Sequence, residues 1–140
     1  MIKFLCSVVQ GGSTAVLILV IEDDQYHRRL YKEELEEEGF AVLTAATGDE
    51  GLTLFQQKTP DLVMLDINLA GADEGLRLLS RMKNARPNAP VILHSAYDYR
   101  DDFAVWRADD YVVKSADLSE LKQAVRRAAG KRADEKGIRP

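Results

Sequence analysis

The chain has 140 residues, of which 46% are hydrophobic and 30% charged, and its formal net charge at pH 7 is −4. This composition is typical of one globular domain and excludes extensive disorder or a collagen-like repeat. The longest apolar run covers residues 15–21, whereas a membrane-spanning helix needs about 20 residues, so no membrane span is expected. The acidic balance argues against a surface that binds nucleic acid directly.

The two ends of the chain are interpreted as extensions of the domain. Residues 1–14 contain Lys3 and a short apolar stretch but no small-residue cleavage site, so they are interpreted as an N-terminal extension. The domain itself is expected over residues 15–129, with a solvated tail over residues 130–140 after Gly130 closes the last helix. The single Cys6 excludes an internal disulfide and predicts a reducing, cytoplasmic location.

Strand-like and helix-like segments alternate along the chain. Strand patterns cover residues 15–21, 40–45, 62–65, 91–94 and 111–113. Helix patterns cover residues 25–38 and residues 100–106. Capping boxes at Thr47 with Glu50 and at Asp117 with Glu120 predict the starts of two further helices. The apolar stripe of Leu76, Leu79 and Met82 predicts another helix between the third and fourth strands. Five such units in strict alternation predict an α/β fold, with a five-stranded parallel sheet covered by helices on both faces.

Polar residues follow four of the predicted strands. They are Glu22, Asp23 and Asp24 after the first strand, Asp66 after the third, Ser95 after the fourth and Lys114 after the fifth. The carboxyl ends of parallel strands share one edge of the sheet, which is where such folds bind ligands. Crowded carboxylates repel one another unless a cation lies between them. Oxygen ligands of this kind suit a hard divalent ion, and Mg²⁺ is the expected one.

The same groups fit phosphoryl chemistry. A metal and an ammonium group neutralise the oxygens of a phosphoryl group, and a hydroxyl donates to one of them. Asp66 is then the expected nucleophile, and it would form an acyl phosphate. Taken singly, each residue has a simpler explanation, because Asp23 and Asp24 can cap a helix and Ser95 and Lys114 can be ordinary loop residues. Compatible groups at four strand ends favour the chemical interpretation.

Four motifs make the sequence resemble the response-regulator receiver domains of two-component signalling, the CheY-like family. They are VLILVIEDD followed by Arg28 and Arg29, DLVMLD ending at Asp66, VILHSA around Ser95 and DDYVVK ending at Lys114. The resemblance covers residues 15–129. It implies a doubly wound, flavodoxin-like (βα)5 three-layer sandwich.

The resemblance also implies a role for each site residue. Glu22 and Asp23 would form the acidic pair around Mg²⁺, Asn68 would give its backbone carbonyl to the metal, and Asp66 would accept phosphate from a phosphohistidine. Ser95 would be the hydroxyl that follows the phosphoryl group, Lys114 its cationic partner and Tyr111 the aromatic switch.

The implied function is a signalling switch. The chain would catalyse only its own aspartyl phosphorylation and dephosphorylation. The implied partners are a sensor histidine kinase or histidine phosphotransfer protein and a downstream protein target, and a homodimer is possible.

Some positions depart from the family pattern. Ala70 and Ser115 stand where proline is usual, and a cis peptide without proline costs about 2.5–4 kcal/mol. The loop at residues 71–75 has one residue more than expected. Only 19 positions separate Ser95 from Lys114, and Arg107 stands where glycine is common. We therefore expect the helix between the fourth and fifth strands to be short or irregular.

Two other functions compete with the phosphoaccepting switch. One is a receiver fold that binds a partner without phosphorylation. The other is a phosphohydrolase of the haloacid-dehalogenase type, which also uses an aspartate nucleophile with Mg²⁺. That family uses a second aspartate, two positions after the first, as general acid and metal anchor. This chain has Asn68 there, and an amide cannot act as a general acid.

Overall fold

The computed structural model describes residues 15–69, 74–96 and 106–136, with side chains up to residue 131. The strands are β1 (Leu17–Ile21), β2 (Ala41–Ala45), β3 (Leu62–Asp66), β4 (Val91–Ser95) and β5 (Asp110–Val113). The helices in these ranges are α1 (Gln25–Glu37), α2 (Gly48–Lys58), α3 (Glu74–Ala85) and α4 (Ser119–Lys136). The N-terminal extension predicted at residues 1–14 lies outside the described residues, as does nearly all of the helix predicted at residues 100–106.

The five strands form one parallel sheet in the order β2-β1-β3-β4-β5. This confirms the predicted fold class. The strand order reverses between β1 and β3, and such a point leaves a crevice at the carboxyl ends of the two strands. Ile21 pairs with Leu65 across this point, so Glu22 and Asp66 come next at the same level of the sheet.

Two apolar cores lie on the two faces of the sheet. Successive side chains of β1 point to opposite faces, with Leu19 and Ile21 packing toward α2 and α3, and Ile18 and Val20 packing toward α1 and α4. All residues of β3 and β4 are buried, as expected for central strands that are covered on both sides. Within the described ranges, no helix has both the length and the apolar composition needed to cross a membrane.

Local contacts explain where α1 begins and ends and where α2 begins. The Asp24 side chain accepts a hydrogen bond of 2.9 Å from the backbone N–H of His27 and caps α1. Gly39 follows α1 with φ +100°, a conformation that favours glycine. Thr47 accepts a hydrogen bond of 3.1 Å from the backbone of Glu50 and caps α2, which confirms the predicted capping residue.

The last helix buries the predicted face but ends later than predicted. Leu121 and Val125 are buried against the sheet, and Leu118 and Ala128 pack beside them. The prediction that Gly130 closes the helix was wrong, because α4 continues to Lys136. A glycine inside a helix costs only about 1 kcal/mol relative to alanine, and good helix formers flank this one. The solvated tail at residues 130–140 stays a prediction.

Candidate functional site

Three carboxylates meet where β1 and β3 end. Oxygen atoms of Glu22, Asp23 and Asp66 lie within 4.8 Å of one another. Glu22 and Asp66 are 2% and 6% exposed, whereas Asp23 is exposed. The sheet therefore brings two buried acids and one accessible acid to the same place, and carboxylate oxygens in such a group are the ligands that Mg²⁺ prefers.

Lys114 joins this cluster from the end of β5. Its Nζ donates to Glu22 Oε1 at 2.9 Å and to Asp66 Oδ2 at 3.2 Å. Its backbone N–H donates to the Ser95 carbonyl at 2.6 Å, which fixes the main chain at residue 114 against the end of β4. One ammonium group thus lies between two buried carboxylates, and the predicted acid, hydroxyl and lysine positions are neighbours.

The charges of the cluster are only partly compensated. Burial raises the pKa of Glu22 and the nearby charge of Asp66 adds to this, while the hydrogen bond from Lys114 opposes it. Burial lowers the pKa of Lys114, but the hydrogen bond to Glu22 and the charges of both carboxylates outweigh it, so the net shift is upward. A divalent cation at this place would relieve the remaining repulsion.

Asn68 links Asp66 to Ser95. The Asn68 backbone N–H donates to Asp66 Oδ1 at 3.0 Å, and its side-chain amide donates to the Ser95 hydroxyl at 3.5 Å. Ser95 is fully buried. Tyr111 is half-buried, lies level with Leu93 and packs on the α2 and α3 side of the sheet. The predicted nucleophile and hydroxyl are thus connected through a single intervening residue.

The start of α3 packs against the loop that follows Asp66. The Gly75 backbone N–H donates to the Ile67 carbonyl at 3.0 Å. A Cβ atom at position 75 would lie 2.5 Å from the Asp66 carbonyl oxygen, a distance at which the backbone would have to shift. Only glycine fits here, so the loop after β3 and the first turn of α3 hold each other in place.

Asp24 takes the simpler of the two roles considered for it. Its carboxylate pairs with the His27 ring at 2.6 Å and accepts from the His27 backbone. The backbone hydrogen bond from His27, with the ring contact, lowers the pKa of Asp24. The residue is a helix cap, and it is not among the described carboxylates that form the three-membered cluster.

Two residues next to the cluster had no predicted role. Arg28 Nη1 donates to the backbone carbonyls of Glu22 at 2.9 Å and of Asp23 at 3.2 Å. His94 is 2% exposed and packs edge-on against Tyr31, with ring centroids 5.1 Å apart. Burial lowers the pKa of His94 to about 3, and its Nδ1 has no hydrogen-bond partner among the described residues. Arg28 belonged to a recognised motif, and His94 lay in a predicted strand of the covered sheet, but neither pattern indicated these side-chain contacts.

The family departures are only partly visible. No cis peptide bond occurs in the described ranges, which include the bond between Lys114 and Ser115. Arg107 donates to Ser80 Oγ at 3.2 Å and Asn84 Oδ1 at 3.0 Å, and so contacts α3. Ala70 and residues 97–105 lie outside the described residues, so the short helix before β5 stays a prediction.

The structure is a doubly wound α/β domain with three acids at its switch point and a lysine directly after β5. The sequence profile of the response regulator receiver domain matches residues 18–126. The chain therefore belongs to the response regulator receiver domain family.

Two curated relatives show how this chain compares in length with other family members. The chain is 36% identical over 127 residues to the uncharacterized transcriptional regulatory protein YcbL of Bacillus subtilis, an alignment that covers 86% of this chain and 55% of the relative. It is 34% identical over 113 residues to sporulation initiation phosphotransferase F of the same organism, with coverage of 78% and 90%. The chain spans about half the length of YcbL and of several other curated relatives that it matches.

Solved structures of the response regulator TrrA from Thermotoga maritima are similar as well. TrrA in complex with Mg²⁺-BeF has 41% identity and a TM-score of 0.77, with coverage of 81% of this chain and 98% of TrrA. TrrA in complex with the histidine kinase ThkA has 42% identity and a TM-score of 0.76, with coverage of 81% and 97%.

Proposed function

We propose that this receiver domain takes a phosphoryl group on Asp66 from a phosphohistidine of a sensor histidine kinase or a histidine phosphotransfer protein. The observation that carries the proposal is the position of Asp66, which is 3.2 Å from the Lys114 ammonium inside the carboxylate cluster. The similar protein TrrA, seen with a histidine kinase and with Mg²⁺-BeF, supports the choice of donor and of metal.

In the transfer, a carboxylate oxygen of Asp66 forms a bond to phosphorus while the P–N bond of the phosphohistidine breaks, and the electron pair of that bond returns to the imidazole. The Lys114 ammonium is placed to bind one phosphoryl oxygen, and the Ser95 hydroxyl to donate to another. Glu22, Asp23 and Asp66 with the Asn68 carbonyl would hold Mg²⁺, which supplies charge neutralisation on the phosphoryl oxygens.

The switch would follow from the added charge. A phosphoryl group brings about −1.5 to −2 charges at neutral pH, and it interacts differently with the two arrangements of the residues around it. Ser95 would move toward this group and Tyr111 would turn into the space that Ser95 leaves. The output would be a downstream protein target, a homodimer or further transfer of the phosphoryl group.

Labelling by acetyl phosphate with Mg²⁺ tests the proposal. Intact-mass analysis should show one added phosphoryl group that is removed by base. Asp66→Asn should abolish it, because the amide is a poor nucleophile, and Asp49→Asn, which changes an exposed carboxylate of α2, should label like the wild type.

Three other outcomes would contradict the proposal. A natively folded wild type that takes no label, and no phosphoryl group from a phosphorylated histidine kinase, would favour the phosphorylation-independent binding module. Steady release of phosphate from many unrelated phosphomonoesters would favour the hydrolase. Full labelling of Asp66→Asn would show that another residue is the nucleophile.

A further inference from the structure

We propose that Arg28 is a positioning residue that fixes the main chain of the acidic loop and thereby makes the site selective for Mg²⁺ over larger divalent cations. The inference rests on the proposed function, since it assumes that Glu22, Asp23 and Asp66 hold the metal. It gives a purpose to an arginine that the proposed chemistry leaves unused.

Arg28 lies at the start of α1, and its side chain reaches back to the loop between β1 and α1. One nitrogen, Nη1 of Arg28, donates to the carbonyl oxygens of both Glu22 and Asp23. The Arg28 backbone N–H donates to the Asp24 carbonyl at 2.9 Å in the first turn of α1. The Arg28 side chain therefore contacts two successive carbonyl groups of the loop, and hydrogen bonds from a charged donor are among the stronger ones.

Asp23 is the residue that depends most on this support. Glu22 is held by Lys114 and by the Asp24 backbone N–H, and Asp66 is held by Lys114 and Asn68. Within the described residues, no hydrogen bond or ion pair holds the Asp23 carboxylate. The two carbonyls that Arg28 binds belong to the peptides on either side of the Asp23 Cα, so fixing them sets the direction of the Asp23 side chain.

Positioning and charge have opposite effects on a bound cation. The positive charge of Arg28 repels a metal, so its removal alone would strengthen binding of every divalent ion. Loss of positioning would weaken binding, and Mg²⁺ would suffer most, because Mg²⁺ demands near-ideal octahedral geometry at 2.0–2.1 Å whereas Ca²⁺ accepts flexible shells. The ratio of the two affinities separates the two roles.

The chain offers a matched control in the next residue. Arg29 has a side chain that is 78% exposed, and it approaches only Glu33, at 3.9 Å, among its described ion-pair partners. Arg29→Met removes the same charge from the same helix turn without touching the carbonyls of the loop. Arg28→Lys is the conservative variant, which keeps the charge but replaces the planar guanidinium by a compact ammonium group.

Calorimetric titration with Mg²⁺ and, separately, with Ca²⁺ tests the inference. Arg28→Met should weaken Mg²⁺ binding about tenfold, the lower end for loss of a residue that orients metal ligands, and Ca²⁺ binding less than about threefold. Arg29→Met should leave both affinities within about twofold, and Arg28→Lys should recover part of the Mg²⁺ affinity.

The outcomes separate this inference from the proposed function. If the wild type binds neither ion saturably, or if Asp23→Asn leaves the Mg²⁺ affinity unchanged, the metal site itself is wrong. If the wild type binds Mg²⁺ through Asp23 but Arg28→Met tightens binding or changes both affinities equally, only the positioning role is wrong. Should circular dichroism show Arg28→Met unfolded, Arg28→Lys decides, and an unchanged Mg²⁺/Ca²⁺ ratio in that variant overturns the inference.

Discussion

Two lysines, one at each edge of the sheet, bind carboxylates in different ways. At the amino edge, the nearly buried Lys83 donates to Asp109 Oδ2 at 2.6 Å and to the backbone carbonyls of Ala89 at 2.7 Å and Pro87 at 3.4 Å. The same Asp109 oxygen accepts from the Val91 backbone at 2.7 Å. Every proton of this ammonium group has an acceptor, and one positive charge meets one negative charge.

At the carboxyl edge, Lys114 faces a different balance. Three carboxylates against one ammonium leave two negative charges in excess. Such an arrangement lowers the stability of the empty fold, and proteins tolerate it where a site needs to bind a cation. The charges at Lys83 are thus balanced within the fold (a closed pair), whereas those at Lys114 are not (an incomplete pair), as the proposed cation site requires.

Removing the closed pair should have the largest effect. Lys83→Met removes the ammonium donor of the Ala89 carbonyl and of the Asp109 carboxylate, which then keeps only the Val91 backbone N–H among its described donors. We expect the free energy of unfolding to fall by about 3 kcal/mol, the low end for breaking a buried pair because Asp109 is 42% exposed. Urea denaturation measures this, with the exposed Lys58→Met as the control, expected within about 0.5 kcal/mol of the wild type.

Magnesium sharpens the contrast between the two lysines. Saturating Mg²⁺ should recover part of any stability lost in Lys114→Met, since the ion replaces the missing positive charge. It should do no more for Lys83→Met than for the wild type. Equal rescue of both lysine variants would contradict the distinction between a closed and an incomplete pair.

Acid should act on the carboxyl edge through His94, with the next largest effect. The pKa of His94 is lowered from 6.5 to about 3 in the folded chain, so between these pH values the unfolded chain binds a proton that the folded chain does not. The neutral His94 ring therefore costs no stability well above pH 6.5. As the pH drops below 6.5, the free energy of unfolding falls by at most about 1.4 kcal/mol per pH unit through this group. This amounts to roughly 2 kcal/mol between pH 6 and pH 4.5.

The comparison with His94→Met isolates this contribution. Subtracting the urea denaturation curves of the variant from those of the wild type removes the shared titration of the carboxylates. The free energy of unfolding should fall less in the variant than in the wild type as the pH drops from about 6.5 to about 3. Parallel pH profiles for the two proteins would show that the pKa of His94 is not lowered in the folded chain.

The smallest expected effect is a gain in stability from Glu22→Gln. The pKa of Glu22 is raised in the folded chain, so the folded state is favoured below the ordinary pKa and loses this advantage as the pH rises through the folded value. At pH 7 without divalent ions, the uncharged glutamine should stabilise the fold by roughly 0.5–2 kcal/mol. Glu37→Gln, at an exposed position of α1, is the control.

With Mg²⁺ present, the wild type should become more stable than Glu22→Gln. An ion at 100 times its Kd stabilises the wild type by about 2.7 kcal/mol, and the variant binds it more weakly. A Glu22→Gln protein that is less stable than the wild type in chelator would mean that Lys114 already compensates the buried charge in full.

The sequence predicted the fold and the neighbours in the site for a simple reason. Strand ends of a doubly wound sheet meet at one edge, so Glu22, Asp66, Ser95 and Lys114 had to come together once the alternation was recognised. Strand periodicity and capping residues such as Thr47 are local signals, and they were correct to within two residues or so at most ends.

Features that depend on side-chain packing could not be predicted from the sequence. The contacts of Arg28 with two carbonyls require a particular rotamer, and the burial of His94 depends on Tyr31 across the gap between sheet and helix. The prediction that the last helix ends at Gly130 was wrong, because the helix propensity of the flanking residues outweighs the local effect of this glycine. The metal ligands stay a prediction that the Mg²⁺ titrations address, and the motion of Ser95 and Tyr111 stays a prediction as well.

The hydrogen bond between Lys114 and Glu22 joins residues that are 92 positions apart. During synthesis, the acidic residues and Asp66 emerge long before the lysine, at about 5–20 residues per second. A growing or truncated chain that stops before residue 114 holds the nucleophile but lacks its ammonium group. Under the proposed function, the phosphoacceptor site is therefore complete only after β5 and Lys114 have been made, 48 residues after its nucleophile.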